Sequence, residues 1–150
     1  MPLIDQVIEK YPQDVKVVFK NYPIKSHKNA QMAAEAALAA GEQGKFWEMH
    51  DLLFDNYNKL NYQKIEELAQ ALELDMEKLQ KDMKSNKVSK RIQLDMRDAK
   101  RANVSGTPTV FVNGRRLKRR SLDGFSSLID EELDKQKPAQ TEQAQEKKTE

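Results

Sequence analysis

A chain of 150 residues with 38% hydrophobic and 33% charged side chains is sized for one folded domain, and part of its polarity sits in the last fourteen residues, from Lys137. Twenty-six lysines and arginines nearly balance 24 aspartates and glutamates, so a net charge of +2 creates no global field that demands a nucleic acid or a membrane. There is no cysteine, which excludes disulfides, a thiolate nucleophile and cysteine-ligated metal within these residues, and no apolar run approaches the ~18 residues of a membrane-spanning helix.

The first residues, Met1-Pro2-Leu3-Ile4-Asp5, do not read as the basic start and apolar stretch of a secretory signal. Leu3, Ile4, Val7, Ile8 and Tyr11 fall at helical spacing, and Tyr11-Pro12 ends that helix. Val15–Phe19 is a short β-branched run predicted as a strand buried on both sides, closed by Asn21-Tyr22-Pro23. From Asn29 to about Ala102 the pattern is helical throughout. The first of these helices is alanine-rich and predicted to stop at Gly41, where a residue without Cβ can take the left-handed cap. The next carries Phe46, Met49, His50 and Leu53 on one stripe, flanked by Trp47 and Phe54. Asn61 and Asp75 are N-caps for two more, each with a staple pair: Leu60 with Ile65, Leu74 with Leu79. The last helix of the set carries Val88, Ile92, Met96, Ala99 and, if it runs that far, Asn103 on one side and leaves Lys90, Arg91, Arg97, Lys100 and Arg101 off that stripe.

A segment of different character follows. Gly106 allows positive φ, Pro108 fixes a turn, and Thr109–Val112 is a β-branched and aromatic strand. Asn113-Gly114 suits the two central positions of a type I′ turn, so a second antiparallel strand should begin at Arg115. The Thr107–Pro108 bond is open to two readings, an ordinary trans turn or a cis bond that leaves the Thr107 backbone free to meet an extended peptide. Ser121 caps a final helix with Phe125, Leu128, Ile129 and Leu133 on its buried side; Pro138 should end it, leaving 137–150 as a disordered polar tail.

The other polar features read as structure. His27 and His50 are the only histidines, and His50 lies on an apolar stripe, so neither is assigned a catalytic or metal role. Glu48 and Asp51 are helix-surface acids. Arg115, Arg116, Lys118, Arg119 and Arg120 put five cations into six residues, yet no aromatic interleaves them for base stacking, and cations on an edge strand guard against aggregation. Asp123, Asp130, Glu131, Glu132 and Asp134 follow within reach to neutralise them. No nucleic-acid partner, cofactor or metal is expected.

Gly106-Thr107-Pro108-Thr109-Val110-Phe111-Val112-Asn113-Gly114 resembles the cis-proline segment of the DsbA-like branch of the thioredoxin-fold thiol–disulfide oxidoreductases. A second block, Val17–Ile24 with His27, the alanine-rich helix and Gly44–Phe54, resembles the same family, and together they span about residues 2 to 135. The resemblance implies an α/β, thioredoxin-like fold with a helical block inserted at about 29–102, one domain over 1–136, and a substrate-binding loop at Gly106, Thr107 and Pro108 that pairs with a cysteine-containing protein or peptide. It also implies a Cys-x-x-Cys at the N-terminus of the first helix, where the macrodipole stabilises a thiolate, preceded by a central strand. Pro2 matches a position about five residues past the second cysteine, so the expectation is a domain lacking its first strand and redox motif, with the sequence continuing upstream of Met1 in frame. As written the chain is expected to be redox-inactive, with open inner sheet edges that close on each other or accept a strand from another chain. The family implies an extracytoplasmic location, or a cytoplasmic one if Met1 is the true start. The alternatives are a non-catalytic peptide-binding scaffold and a relative of the kappa-class glutathione transferases, which use a serine in place of the first cysteine.

Overall fold

The structure, a computed structural model, describes residues 2–146, with side-chain surroundings defined to Gln136. Among the described residues seven α-helices and one small sheet follow in order: α1 (Pro2–Lys10), α2 (Ala30–Gly41), α3 (Phe46–Asp55), a 3₁₀ turn (Tyr57–Lys59), α4 (Tyr62–Ala71), α5 (Met76–Met83), α6 (Asn86–Arg101), β1 (Phe111–Val112), β2 (Arg115–Arg116) and α7 (Leu122–Glu146). Two compact units form, one from the described residues up to Val18 with those from Pro108 onward, the other from Phe19–Thr107.

In the second unit α2 is the hub, packing against α3, α4, α5 and α6. Its inward residues Ala36, Ala37, Ala39 and Ala40 are buried, and side chains this small let four helices approach one backbone. Met49 and Leu53 of α3, Ile65 and Leu68 of α4, and Leu79 of α5 complete this core. The caps at Asn61 and Asp75 form as predicted, each side chain accepting from the N–H three residues on, at 2.8 and 2.9 Å. Ser85 caps α6 in the same way.

The alanine-rich helix ends at Gly41 as predicted, but not through a left-handed cap at that residue. Gly41 closes α2 without a positive φ, and a Cβ there would come within 3.3 Å of the Phe46 Cβ, so it serves close packing. The left-handed stop is Gly44, with φ +76°, where the Lys45 N–H reaches back to the Ala40 carbonyl. The same motif ends α4 at Glu73 (φ 56°) and α6 at Asn103 (φ 52°). Sequence reasoning looked for glycine and so missed both.

In the first unit α1 lies against α7, and Val7, Tyr11, Leu117, Phe125 and Ile129 form the core, with Val15, Val110 and Val112 packed on it. Ser121 caps α7. The hairpin has the expected turn, with positive φ at Asn113 and Gly114 and register Phe111↔Arg116, Val112↔Arg115. The strand expected over Thr109–Val112 is shorter, although a Leu117 N–H to Val110 carbonyl bond of 2.9 Å extends the pairing by one residue. Arg115 is not a loose cation: it bonds Glu131 and Glu132, and Lys135 and Arg115 hold the Glu132 carboxyl down at about 2.

Two expectations are corrected. Val15–Phe19 is not a strand, because among the described residues it has no ladder partner; its burial still alternates, but Val18 is 62% exposed where burial on both sides was predicted. The end expected at Pro138 is passed by α7, whose backbone is helical to Glu146. Residues 147–150 of the expected tail lie outside the described residues.

Glu73 tests the helix-stop analysis. A side chain held at positive φ is strained by ~1 kcal/mol, so Glu73→Gly should raise stability in urea unfolding by about 0.5–1 kcal/mol, while Glu73→Ala should not. A loss of stability on Glu73→Gly would contradict it.

Candidate functional site

The loop singled out in the sequence begins where α6 ends. After the left-handed stop at Asn103, the Val104 N–H returns to the Ala99 carbonyl at 2.9 Å, and the Tyr22 hydroxyl donates to the Val104 carbonyl at 3.4 Å. The chain then bends at Gly106, Thr107 and Pro108. Gly106 is half-buried; Thr107 and Pro108 are exposed, and the Thr107 backbone has no backbone partner among the described residues. Thr107 closes the second unit and Pro108 opens the returning part of the first.

The segment that supplies Tyr22 is fixed by a residue that sequence reasoning passed over. Asp95 on α6 is 1% exposed, and its Oδ2 accepts from the Asn21 backbone N–H at 2.9 Å and from Asn21 Nδ2 at 3.2 Å. Lys20 Nζ lies 3.6 Å and Arg91 Nε 3.3 Å from Oδ1, close enough to balance the charge although neither is aligned as a hydrogen bond. Lys20 also bonds Asp98 at 2.7 Å and holds that carboxyl below its usual range. A signal for Asp95 was present: residues 88, 92, 95 and 99 follow the 3.6-residue period more closely than 88, 92 and 96, placing an acid on the buried stripe of a basic helix.

His50 takes its predicted place. It is 2% exposed and walled by rings, with Phe19 at 4.6 Å, Phe54 at 4.7 Å, Trp47 at 5.5 Å and Phe46 at 6.0 Å between centroids. Its Nδ1 lies 2.9 Å from Asp51 Oδ1, and Nε2 is buried without a partner. His27 is exposed in the turn before α2. Among the described residues no group of three or more histidine, aspartate or glutamate side chains could hold a metal. In the basic run, Arg116, Lys118, Arg119 and Arg120 stand in solvent while Arg115 is paired with α7. Glu48 bonds Lys45 on the surface of α3.

A model of the family described as Thioredoxin matches residues 2–131. The chain belongs to the thioredoxin family. Its helix-rich architecture with a small sheet is a thioredoxin-like fold, and it is similar to the crystal structure of a thioredoxin-like oxidoreductase from Silicibacter pomeroyi DSS-3, at 26% identity and a TM-score of 0.78 over 89% of this chain and 77% of that one. Curated relatives carry another name. The thioredoxin-family chain is 41% identical over 116 residues to Na(+)/H(+) antiporter NhaA 3 of Salinispora tropica and 42% identical over 104 residues to Na(+)/H(+) antiporter NhaA 1 of Salinispora arenicola. These matches take in 77% and 69% of this chain but 18% and 16% of those proteins, so the chain spans less than a fifth of their length. Among the described residues no helix is long and apolar enough to cross a membrane.

Removing the Asp95 carboxylate should release the segment before Tyr22. Asp95→Ala leaves two Asn21 donors without their acceptor and two cations without a counter-charge, a loss expected at roughly 3 kcal/mol in urea unfolding. A loss below about 1 kcal/mol, as for a surface pair, would contradict the assignment.

Proposed function

We propose that this chain is a DsbA-like domain of the thiol–disulfide oxidoreductase type, receiving an extended, cysteine-containing segment of a protein substrate along the loop Gly106–Pro108. One observation carries the proposal: Thr107 and Pro108 sit exposed in a bend that feeds β1, with the Thr107 backbone unpaired among the described residues. A peptide laid beside it would gain main-chain hydrogen bonds in the manner of strand addition. The register of the hairpin adds to this, since Val110 and Val112 turn their hydrogen bonds toward β2 and the intervening Phe111 therefore turns its own away. In this reading the Thr107–Pro108 bond is cis, on the family resemblance alone.

The 150 residues contain no thiol, and thiol–disulfide exchange proceeds through a thiolate. The purified chain should therefore oxidise a dithiol peptide and reduce insulin no faster than buffer. A rate above the blank would show a redox group other than cysteine at work. A second reading is a peptide-binding domain with no redox step of its own, carried as one part of a larger protein in the way that the matched segment is one part of its antiporter-named relatives.

Both readings require the loop to bind. Pro108→Ala restores an N–H and frees φ, so the bend loses its fixed shape while no core residue changes. By isothermal titration with an extended peptide, the variant should bind about tenfold more weakly than the parent, with a melting temperature within a few degrees of it. Unchanged binding would remove Pro108 from the site.

A further inference from the structure

A shallow groove of about 440 Å³ runs between α2 and α6. Its floor is aliphatic: Val88 is buried, Leu38 half-buried, and Leu94 leaves 42% of its surface exposed. Its rim is cationic, with Lys87, Lys90 and Arg91 against the single carboxylate of Glu42. The helical repeat makes this arrangement. Lys87, Lys90, Arg91 and Leu94 stand at i, i+3, i+4 and i+7 on α6, one stripe beside the buried Val88, Ile92 and Asp95. The acids nearby are already engaged, Glu42 by Lys87 and Asp95 by Arg91 and Lys20, whereas Lys90 has no ion-pair partner among the described residues.

An exposed leucine alone needs no account. An aliphatic groove under an excess of cations does, and the chemistry narrows the occupant. No aromatic side chain lines the groove to stack a nucleic-acid base. A second copy meeting it face to face would set cations against the same cations. A bilayer surface is broad and flat, whereas this volume suits one or two large side chains. We propose that the α2–α6 groove docks an acidic segment of a partner protein. Such a segment places a leucine, methionine or phenylalanine beside Leu38 and Leu94, and its flanking aspartates or glutamates face Lys90 and Arg91. The groove shares no residue with the Gly106–Pro108 loop.

Panning a random-peptide display library on the immobilised full chain tests this. Enriched peptides should pair one large apolar residue with neighbouring acids, and their affinity should fall as salt is raised. Leu94→Glu and Lys90→Glu, both at exposed positions and outside the Asp95 cluster, should each weaken the synthesised peptides about tenfold, while Pro108→Ala should leave them unchanged. Thermal melts of the variants separate lost binding from lost folding. The proposal is overturned if no sequence is enriched, if the enriched peptides lack acids, or if they bind Leu94→Glu as tightly as the parent. Binding to phosphatidylglycerol vesicles without peptide binding, or a dimer that Leu94→Glu dissolves, would overturn it equally by giving the groove another occupant.

Discussion

A carboxylate removed from water must find its compensation within the protein, and Asp95 finds it in Asn21, Lys20 and Arg91. The backbone N–H of Asn21 is one of its donors, so the bond fixes main chain as well as side chain. The adjacent residue, Tyr22, then reaches the Val104 carbonyl at the end of α6. Entry and exit of the second unit are thus tied to one helix, and the exit leads within three residues to Thr107. A single buried charge in this way sets the stretch from which the exposed bend departs.

Much of this was legible from residue types. The caps at Asn61, Asp75 and Ser121 followed from short acceptor side chains before apolar stripes, and the hairpin from Asn113-Gly114, because in each case the determining chemistry lies within four residues. What failed depended on partners distant in sequence. Val15–Phe19 has strand composition, but a strand exists only with a neighbour, and among the described residues none pairs with it. Gly41 does end α2, but its missing Cβ makes room for Phe46, and the left-handed cap expected there falls on Gly44. Asp95 was hidden because acids on basic helices are ordinarily surface groups; only the exact helical period put it inside. Of the site, the loop residues were readable as a motif, whereas the anchoring of the segment that leads to them was not.

The family and the composition pull in different directions. A thioredoxin-like fold is matched over residues 2–131, yet the 150 residues have no thiol. What the structure shows beside that absence is an exposed bend at Thr107 and Pro108 that feeds β1. Farther along the same segment, Glu131 and Glu132 pair with the exposed Arg115. The fold's peptide-receiving part and its redox part are separable in principle, and the proposal is that this chain carries the first.

Amide mapping by nuclear magnetic resonance tests that claim most directly. With the ¹⁵N-labelled chain titrated by an extended peptide, shifts should concentrate on Gly106, Thr107, Thr109 and Phe111, around the proline that has no amide of its own. Perturbations confined to other parts of the chain, with these four amides unmoved at saturation, would contradict it.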